Sequence, residues 1–356
     1  MPISTMDTGS LVSMVMLPTH NIMVNVRTSP SLHFHVLTEL PEIAALTSEW
    51  ESLLARSTCN HGFSSAHWFI ASCRYNPSLQ PYVIVARRGE TLAGILPLVL
   101  DQNSKEAIFS NYLTDYNDAI AAANDLQTTA ALLRFACSRP NGYTRISLKH
   151  LRPDSNCLQA LTLLNGDLKH TFRETQLCHY LQLPATHDGF LKSKDSRFRK
   201  RLKRLQGLAD DAGLTAGELD PASFHPSRLP DLFLSLHLQR RKVKSCFELS
   251  SAQNFVNDVL PALFEKRVVR ACVFMNLDQI VAIDLYTMSH NSLCVWNGGF
   301  LDEYGYCSPG KLLINEGIKL ACALKAEEFD FLRGGEVYKE SWVNGSRSIG
   351  QLEFQL

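Results

Sequence analysis

Hydrophobic and polar positions along the chain fall into two similar runs, separated by a polar, largely helical stretch. From His33, "HFHVLTEL" alternates as a strand does. Pro41 then opens a helix to about Arg56, with Ile43, Leu46, Trp50 and Leu53/Leu54 at helical spacing. A second helix is expected near Ala66–Tyr75. "PYVIVARRGETLAGILPLVL" (Pro81–Leu100) is two apolar runs around an Arg-Gly-Glu turn, which predicts a β-hairpin. Strands near 106–110 and 117–122, a helix over 125–138 and a strand over 143–148 complete the first run.

The order returns roughly 190 residues later, in pattern rather than in residue identity, and reads as an internal duplication. Val268–Met288 is again strand, polar turn, strand, and Ser292–Phe300 is the next strand. Lys311–Lys325 is an amphipathic helix, and "FDFLRGG" is the strand after it. Antiparallel hairpins beside a crossover helix in each half give an α+β (mixed α/β) class. Between the halves lie a strongly basic helical stretch, Leu191–Gly213, and a second one, Arg228–Ser245, with a basic end. The chain therefore divides into a poorly ordered segment, 1–31, an N-terminal lobe, 32–170, and a C-terminal lobe, 171–356, that includes the basic helix 191–213.

Composition narrows this only a little. Thirty-five basic and 35 acidic side chains cancel, so any anion site must be local and no general nucleic-acid binder is implied. Ten cysteines show no CxxC pair and no histidine at zinc spacing; they read as reduced core thiols of a cytoplasmic protein, with no metal. "SLVSMVML" (Ser10–Leu17) has no preceding Lys or Arg and no cleavage site, which argues against a secretion signal. No apolar run reaches the ~20 residues needed to cross a bilayer.

Candidate chemistry concentrates in the C-terminal run. In "YGYCSPGKLL", Ser308 is expected to cap a helix whose first position suits Pro309, with Gly310 and Lys311 next. Free first-turn N–H groups and the helix dipole suit an anion, and Gly310 lets a ligand approach the backbone. Gly298-Gly299 ends one strand and Gly334-Gly335 another. Each feature alone reads equally well as a capped helix or a plain turn. Together they suit a pyrophosphate and an extended pantetheine-like arm.

This order resembles the core of the GNAT acyltransferases. "SPGKLLINEGIKLA" followed by "FDFLRGGEVYKESW" is similar to their CelD/BcsL-like (cellulose biosynthesis CelD-type) branch, which is related to the FemAB-type double-GNAT proteins. "SRFRKRLKRL", "LHLQRRKVKSCFE" and "LTDYNDAI" share the likeness, which runs from His33 onward and is strongest over 190–345. The resemblance implies two tandem GNAT-like lobes, each a mixed sheet flanked by helices. It implies transfer of an acyl group from acyl-CoA to a primary amine by direct attack, in envelope polysaccharide or lipid chemistry.

Roles follow from that implication. Tyr338 is expected to protonate the departing thiolate or to position the thioester. Lys339 either contacts substrate charge or is a surface lysine. Asp284, in mid-strand on the face of Ala282 and Tyr286, is the candidate base, with Glu248 and Asp115 as rivals. Donor-binding candidates are Gly298, Gly299, Ser308, Pro309, Gly310, Lys311, Gly334 and Gly335. Acceptor-site candidates are Tyr116, Arg197, Arg201, His237, Arg241 and Trp342, although His237 reads first as a hydrogen-bonded structural residue. Arg197, Lys200, Arg201 and Arg204 share a helical face suited to a donor phosphate, an anionic lipid surface or an aminoacyl-tRNA, or simply to solvent. "AANDLQTT" in the first half lacks glycine, so the N-terminal lobe is expected to have lost donor binding and to shape the acceptor cleft. The expected partners are acyl-CoA, a small or lipid-linked amine and the anionic membrane periphery. tRNA enters only in a FemAB-type alternative, and a non-catalytic GNAT shell is the other rival.

Overall fold

The alternating apolar runs assemble into one sheet of 13 strands. The computed structural model describes residues 31–356, apart from 111, 139–142, 165 and 240–244; the expected N-terminal segment up to residue 30, and Arg241, lie outside the described residues. The first half contributes β1 (Leu32–Leu37), β2 (Leu79–Arg88), β3 (Thr91–Asp101), β4 (Glu106–Phe109), β5 (Ile120–Ala121) and β6 (Arg145–Leu151). Then come β7 (His170–Gln182), β8 (Leu214–Glu218), β9 (Val269–Asn276), β10 (Gln279–Met288), β11 (Ser292–Phe300), β12 (Glu328–Arg333) and β13 (Gly345–Gln355). The helices are α1 (Leu40–Ala45), α2 (Thr47–Leu54), α3 (Ala66–Arg74), α4 (Leu126–Ser138), α5 (Asn156–Ala160), α6 (His187–Ser193), α7 (Ser196–Asp211), α8 (Leu229–Gln239), α9 (Ser250–Glu265), α10 (Pro309–Ala323) and α11 (Val337–Glu340).

Helices cover both faces, so the central strands are apolar on both sides. In β2, Tyr82, Ile84 and Ala86 pack toward α4 and α5, while Val83 and Val85 pack toward α1–α3. In β10, Ala282 and Tyr286 face α7 and α10, while Ile283 and Leu285 face α8 and α9. The fold is the expected mixed α/β class, with the hairpin, parallel strand and crossover helix present in both halves.

Strand order is β1-β2-β3-β4-β6-β13-β7-β12-β11-β10-β9-β8, with β5 on β3. The two halves exchange strands. β7 follows the first run in sequence but lies on β12; β13 follows the second but lies on β6. β13 and β7 then pair with each other along most of their length. A buried charge network reinforces this seam. Arg152 Nη1 is 3.6 Å from Glu328 Oε1 and 3.5 Å from Asp330 Oδ2, and Arg347 on β13 pairs with Glu328. Tyr116 donates its hydroxyl to Asp330 Oδ2 at 2.8 Å.

Several local expectations change. The helix over 41–56 breaks at Leu46 into α1 and α2. The basic stretch 191–213 is two helices, because Asp195 accepts the Phe198 N–H at 2.7 Å and starts α7 afresh. The strand near 117–122 shortens to the two residues of β5. β7, β8, α9 and β13 lie where no element was expected.

Candidate active site

β11 and β12 run parallel over three paired positions, Ser292–Cys294 against Glu328–Asp330, and then part. Each strand has its own reason to leave the ladder. On β11, Asn297 faces Leu285 and Val295 faces Tyr286, so Trp296 is an extra residue, a β-bulge. On β12 the register against β7 slips between Asp330 and Arg333, and Leu332 takes a left-handed φ of 57°. A cleft of about 490 Å³ opens between the parted strands. Val295–Gly298 form one wall and Phe331–Arg333 the other. The start of α10 (Ser308, Gly310, Lys311), Tyr338 and Lys339 of α11, Asp284 of β10 and Asp115 from the first half also line it.

The α10 start differs from expectation in one respect. Pro309 is the first helical residue, but Ser308 sits at φ 53°, ψ 61° and its side chain makes no cap. The left-handed turn that redirects the chain from the Asp302–Cys307 turn into α10 prevents the extended cap geometry. Lys311 N–H turns back to Ser308 O at 3.0 Å. Pro309 has no N–H, so the Gly310 N–H is left as a first-turn donor without an intrahelical acceptor. A Cβ on Gly310 would meet nothing nearer than Phe300 Cε1, at 3.8 Å. The helix start is therefore open to the cleft and not plugged by the protein's own side chains.

The paired glycines divide in role. A Cβ on Gly298 would overlap Asp284 Oδ1 at 1.8 Å, so the carboxylate lies directly against this strand. A Cβ on Gly299 would stand 2.5 Å from the Leu236–His237 backbone, so Gly299 packs against α8 and does not line the cleft. Gly334, at φ 114°, makes the turn that ends β12, and Gly335 is open; neither is in the cleft lining.

Lys339 is neither a surface lysine nor a free substrate contact. It is 3% exposed, and its ammonium donates to the carbonyls of Phe331 (3.0 Å), Arg333 (3.0 Å) and Gly334 (3.2 Å). Glu336 pairs with it at 2.8 Å. Lys339 thus clamps the end of β12 and fixes the helical turn carrying its neighbour Tyr338, which is 43% exposed and borders the cleft.

Among the candidate bases, Asp284 and Asp115 line the cleft, and Glu248 does not. Glu248 is exposed and accepts the Ser245 N–H in a capping box. Asp115 pairs with Arg333 Nε. Burial pushes its carboxyl up, against the pull of that guanidinium. Arg333 also donates to Thr114 O at 3.0 Å and to His150 Nε2 at 3.0 Å, tying β12 to the first half. His150 must accept there, so it is neutral; burial and then Arg333 lower it to about 3.

The acceptor-site candidates scatter. Tyr116 is buried on Asp330, beside a smaller cavity of about 130 Å³ between Cys59, Arg152 and His290. His237 is buried: its Nδ1–H donates to Gly298 O and its Nε2 accepts from Ser245 Oγ, both at 3.0 Å, so it holds β11 against α8. Trp342 is core, edge-on to Phe198 with centroids 5.0 Å apart. Arg197 and Arg201 are exposed on α7, and Arg201 reaches Ser341 Oγ at 3.4 Å. Sequence reasoning missed Arg333 and Trp296 in the cleft. The signals were present: one precedes the Gly-Gly strand end, the other opens "WNGGF".

The equivalent place in the first half is bridged by the chain. β4 and β6 also pair in parallel over three positions, but Asn117 N–H then bonds His150 O at 3.3 Å as the chain crosses the gap. Asp125 accepts the Thr128 N–H at 3.1 Å, so the α4 start already holds an anion of its own.

Residues 193–340 match the acetyltransferase (GNAT) domain family. The matched span, under half of the chain, is similar to a GNAT domain and contains the α10 start, both parted strands and α11. No curated protein sequence matches the chain. Among solved structures, FemX is similar with a TM-score of 0.62 at 14% identity, over 87% of this chain and 96% of that one. The C-terminal domain of a putative lysylphosphatidylglycerol synthetase from Agrobacterium fabrum follows at 0.54 and 11%, over 88% and 93%. L-PGS from Bacillus licheniformis gives 0.53 and 10%, over 89% and 92%. These likenesses extend the shared fold to both halves. Among the described residues, no group of His, Cys, Asp or Glu is placed to hold a metal, and no helix is long and apolar enough to cross a membrane.

Proposed function

We propose that the protein is an acyl-CoA-dependent N-acyltransferase whose C-terminal lobe, 171–356, holds the donor. One observation carries the reading: a single cleft joins an uncapped helix start at Ser308–Lys311 to Tyr338 between two parted strands. The donor pyrophosphate would lie on the Gly310 N–H and the positive end of α10. The pantetheine arm would run between β11 and β12, along Val295–Gly298, where the Trp296 bulge turns backbone groups out of the ladder. A backbone N–H there would meet the oxygen on which charge develops.

The acceptor amine must attack uncharged. Asp284, buried in the cleft lining beside the β11 wall, takes its proton, directly or through water. The amine nitrogen bonds to the thioester carbon, the C–S bond breaks, and Tyr338 protonates the departing thiolate. The N-terminal lobe, with its own helix start filled by Asp125, contributes Asp115 and the acceptor side of the cleft. The CelD/BcsL-like wording of the C-terminal half supports an acceptor among envelope amines: an amino sugar, a long-chain amine or an amino-acid headgroup. A thermal-shift series with acetyl-, medium- and long-chain acyl-CoA tests the donor, which stabilises the fold by mass action. No stabilisation by any of them, with salt-steep binding of aminoacyl-tRNA, would move the donor to tRNA.

A further inference from the structure

The chain's charges cancel overall, yet α7 concentrates six exposed cations between Arg197 and Arg204: Arg197, Arg199, Lys200, Arg201, Lys203 and Arg204. None of them has a carboxylate partner among the described residues. The helix is anchored from beneath by Phe198, Leu205 and Ala209, so the basic side stays outward. On this face Arg201 reaches Ser341 Oγ at 3.4 Å; that hydroxyl in turn donates to Tyr338 O at 3.1 Å. The basic face therefore borders α11, whose Tyr338 lines the cleft.

Apolar side chains gather around the same helix. Eight large hydrophobic residues are exposed among the described residues, and four of them border α7. Val337 (76%) and Tyr338 lie on α11, joined to α7 through Arg201 and Ser341. Tyr306 (58%) lies on the 302–307 turn that packs against α7. Leu277 (89%) follows Asn276, whose amide reaches Ala212 O at the far end of α7. Isolated exposed apolar residues need no explanation, but half of them lying on segments tied to one basic helix do.

We propose that α7 and these tips form a surface that docks on an anionic lipid bilayer, with the cleft mouth at the headgroup level. Cations on the face bind anionic headgroups, while Val337, Tyr306 and Leu277 enter the acyl boundary. RNA would satisfy the cations but leaves the apolar tips without a partner, so lipid is the better match. The inference deepens the acyltransferase reading by supplying the place where a lipid-linked amine would be met, and it rests on that reading only for this purpose.

The test is co-sedimentation of the intact protein with vesicles of pure phosphatidylcholine and of phosphatidylcholine containing phosphatidylglycerol. Binding to the anionic vesicles alone is expected. Each removed cation should weaken it roughly fivefold, so Lys200→Gln with Arg204→Gln should lose on the order of 25-fold. Val337→Asp should weaken vesicle binding as well, while leaving any binding to RNA unchanged, because only the bilayer takes up the apolar tips. Gly310→Glu should retain vesicle binding although it loses the acyl-CoA donor, which separates this surface from the donor site. Equal binding to both vesicles, no binding to either, or insensitivity to the double substitution or to Val337→Asp in a protein with an unchanged melting profile would each overturn the proposal.

Discussion

Tyr338 and Lys339 are adjacent in sequence and opposite in circumstance. The phenol borders the cleft; the ammonium is buried under the strand end it clamps. Tyr338→Phe should lower kcat by roughly 10²-fold with little change in KM, because the lost group acts on the leaving thiolate. Steady-state kinetics with an unchanged circular-dichroism spectrum checks this. Lys339→Met should instead cost about 2–4 kcal/mol of stability, measured by urea denaturation, because three buried carbonyls lose their donor. Sequence made Tyr338, Gly310 and Asp284 legible as cleft residues, since each follows or interrupts an apolar strand or helix pattern. It could not distinguish Lys339 from a surface lysine, nor place Trp342 in the core, because a letter carries charge and shape but not partners. His237 was readable as structural, and its two bonds name what it holds.

At the scale of elements, the two glycine sites of β11 and α10 make opposite demands. Gly299 is pressed against the α8 backbone, so Gly299→Ala should cost about 1–3 kcal/mol through overpacking. Gly310 faces open space, so Gly310→Ala should leave stability unchanged or raise it by up to about 1 kcal/mol through helix propensity. Paired thermal melts decide between these outcomes. The hairpins, α10 and β12 were legible because their apolar period is unbroken. β7 was not: its first eight residues, His170–Leu177, are exposed, so they show no buried alternation. β13 has the same difficulty, with Gly345 and Gly350 and three polar residues in its first half. The break in the basic stretch depended on one cap at Asp195, which outweighed a continuous run of helix formers.

Across the whole molecule, exchange of β7 and β13 makes the two halves one sheet, and Arg333 ties the cleft to the first half through Asp115, Thr114 and His150. His150 is held neutral, with a folded pKa near 3 against an ordinary 6.5. As pH falls, the unfolded chain takes the proton first. The stability contributed by neutral His150 is therefore complete above 6.5 and is lost progressively toward 3. His150→Asn, which tolerates the left-handed φ of 63° there, should flatten that part of the pH profile in urea denaturation at pH 7, 6, 5 and 4. Asp115 and Tyr116 were legible as candidates, but their partners across the seam were not, because strand exchange brings together residues about 200 positions apart and leaves no local period. The account as a whole rests on the α10 start as the donor's anchor. The most direct measurement is acyl-CoA affinity by calorimetry for the wild type and Gly310→Glu. The account predicts saturable binding in the wild type and at least a tenfold loss in the variant, with the fold intact. Equal affinity in both proteins, or none in the wild type, would contradict it.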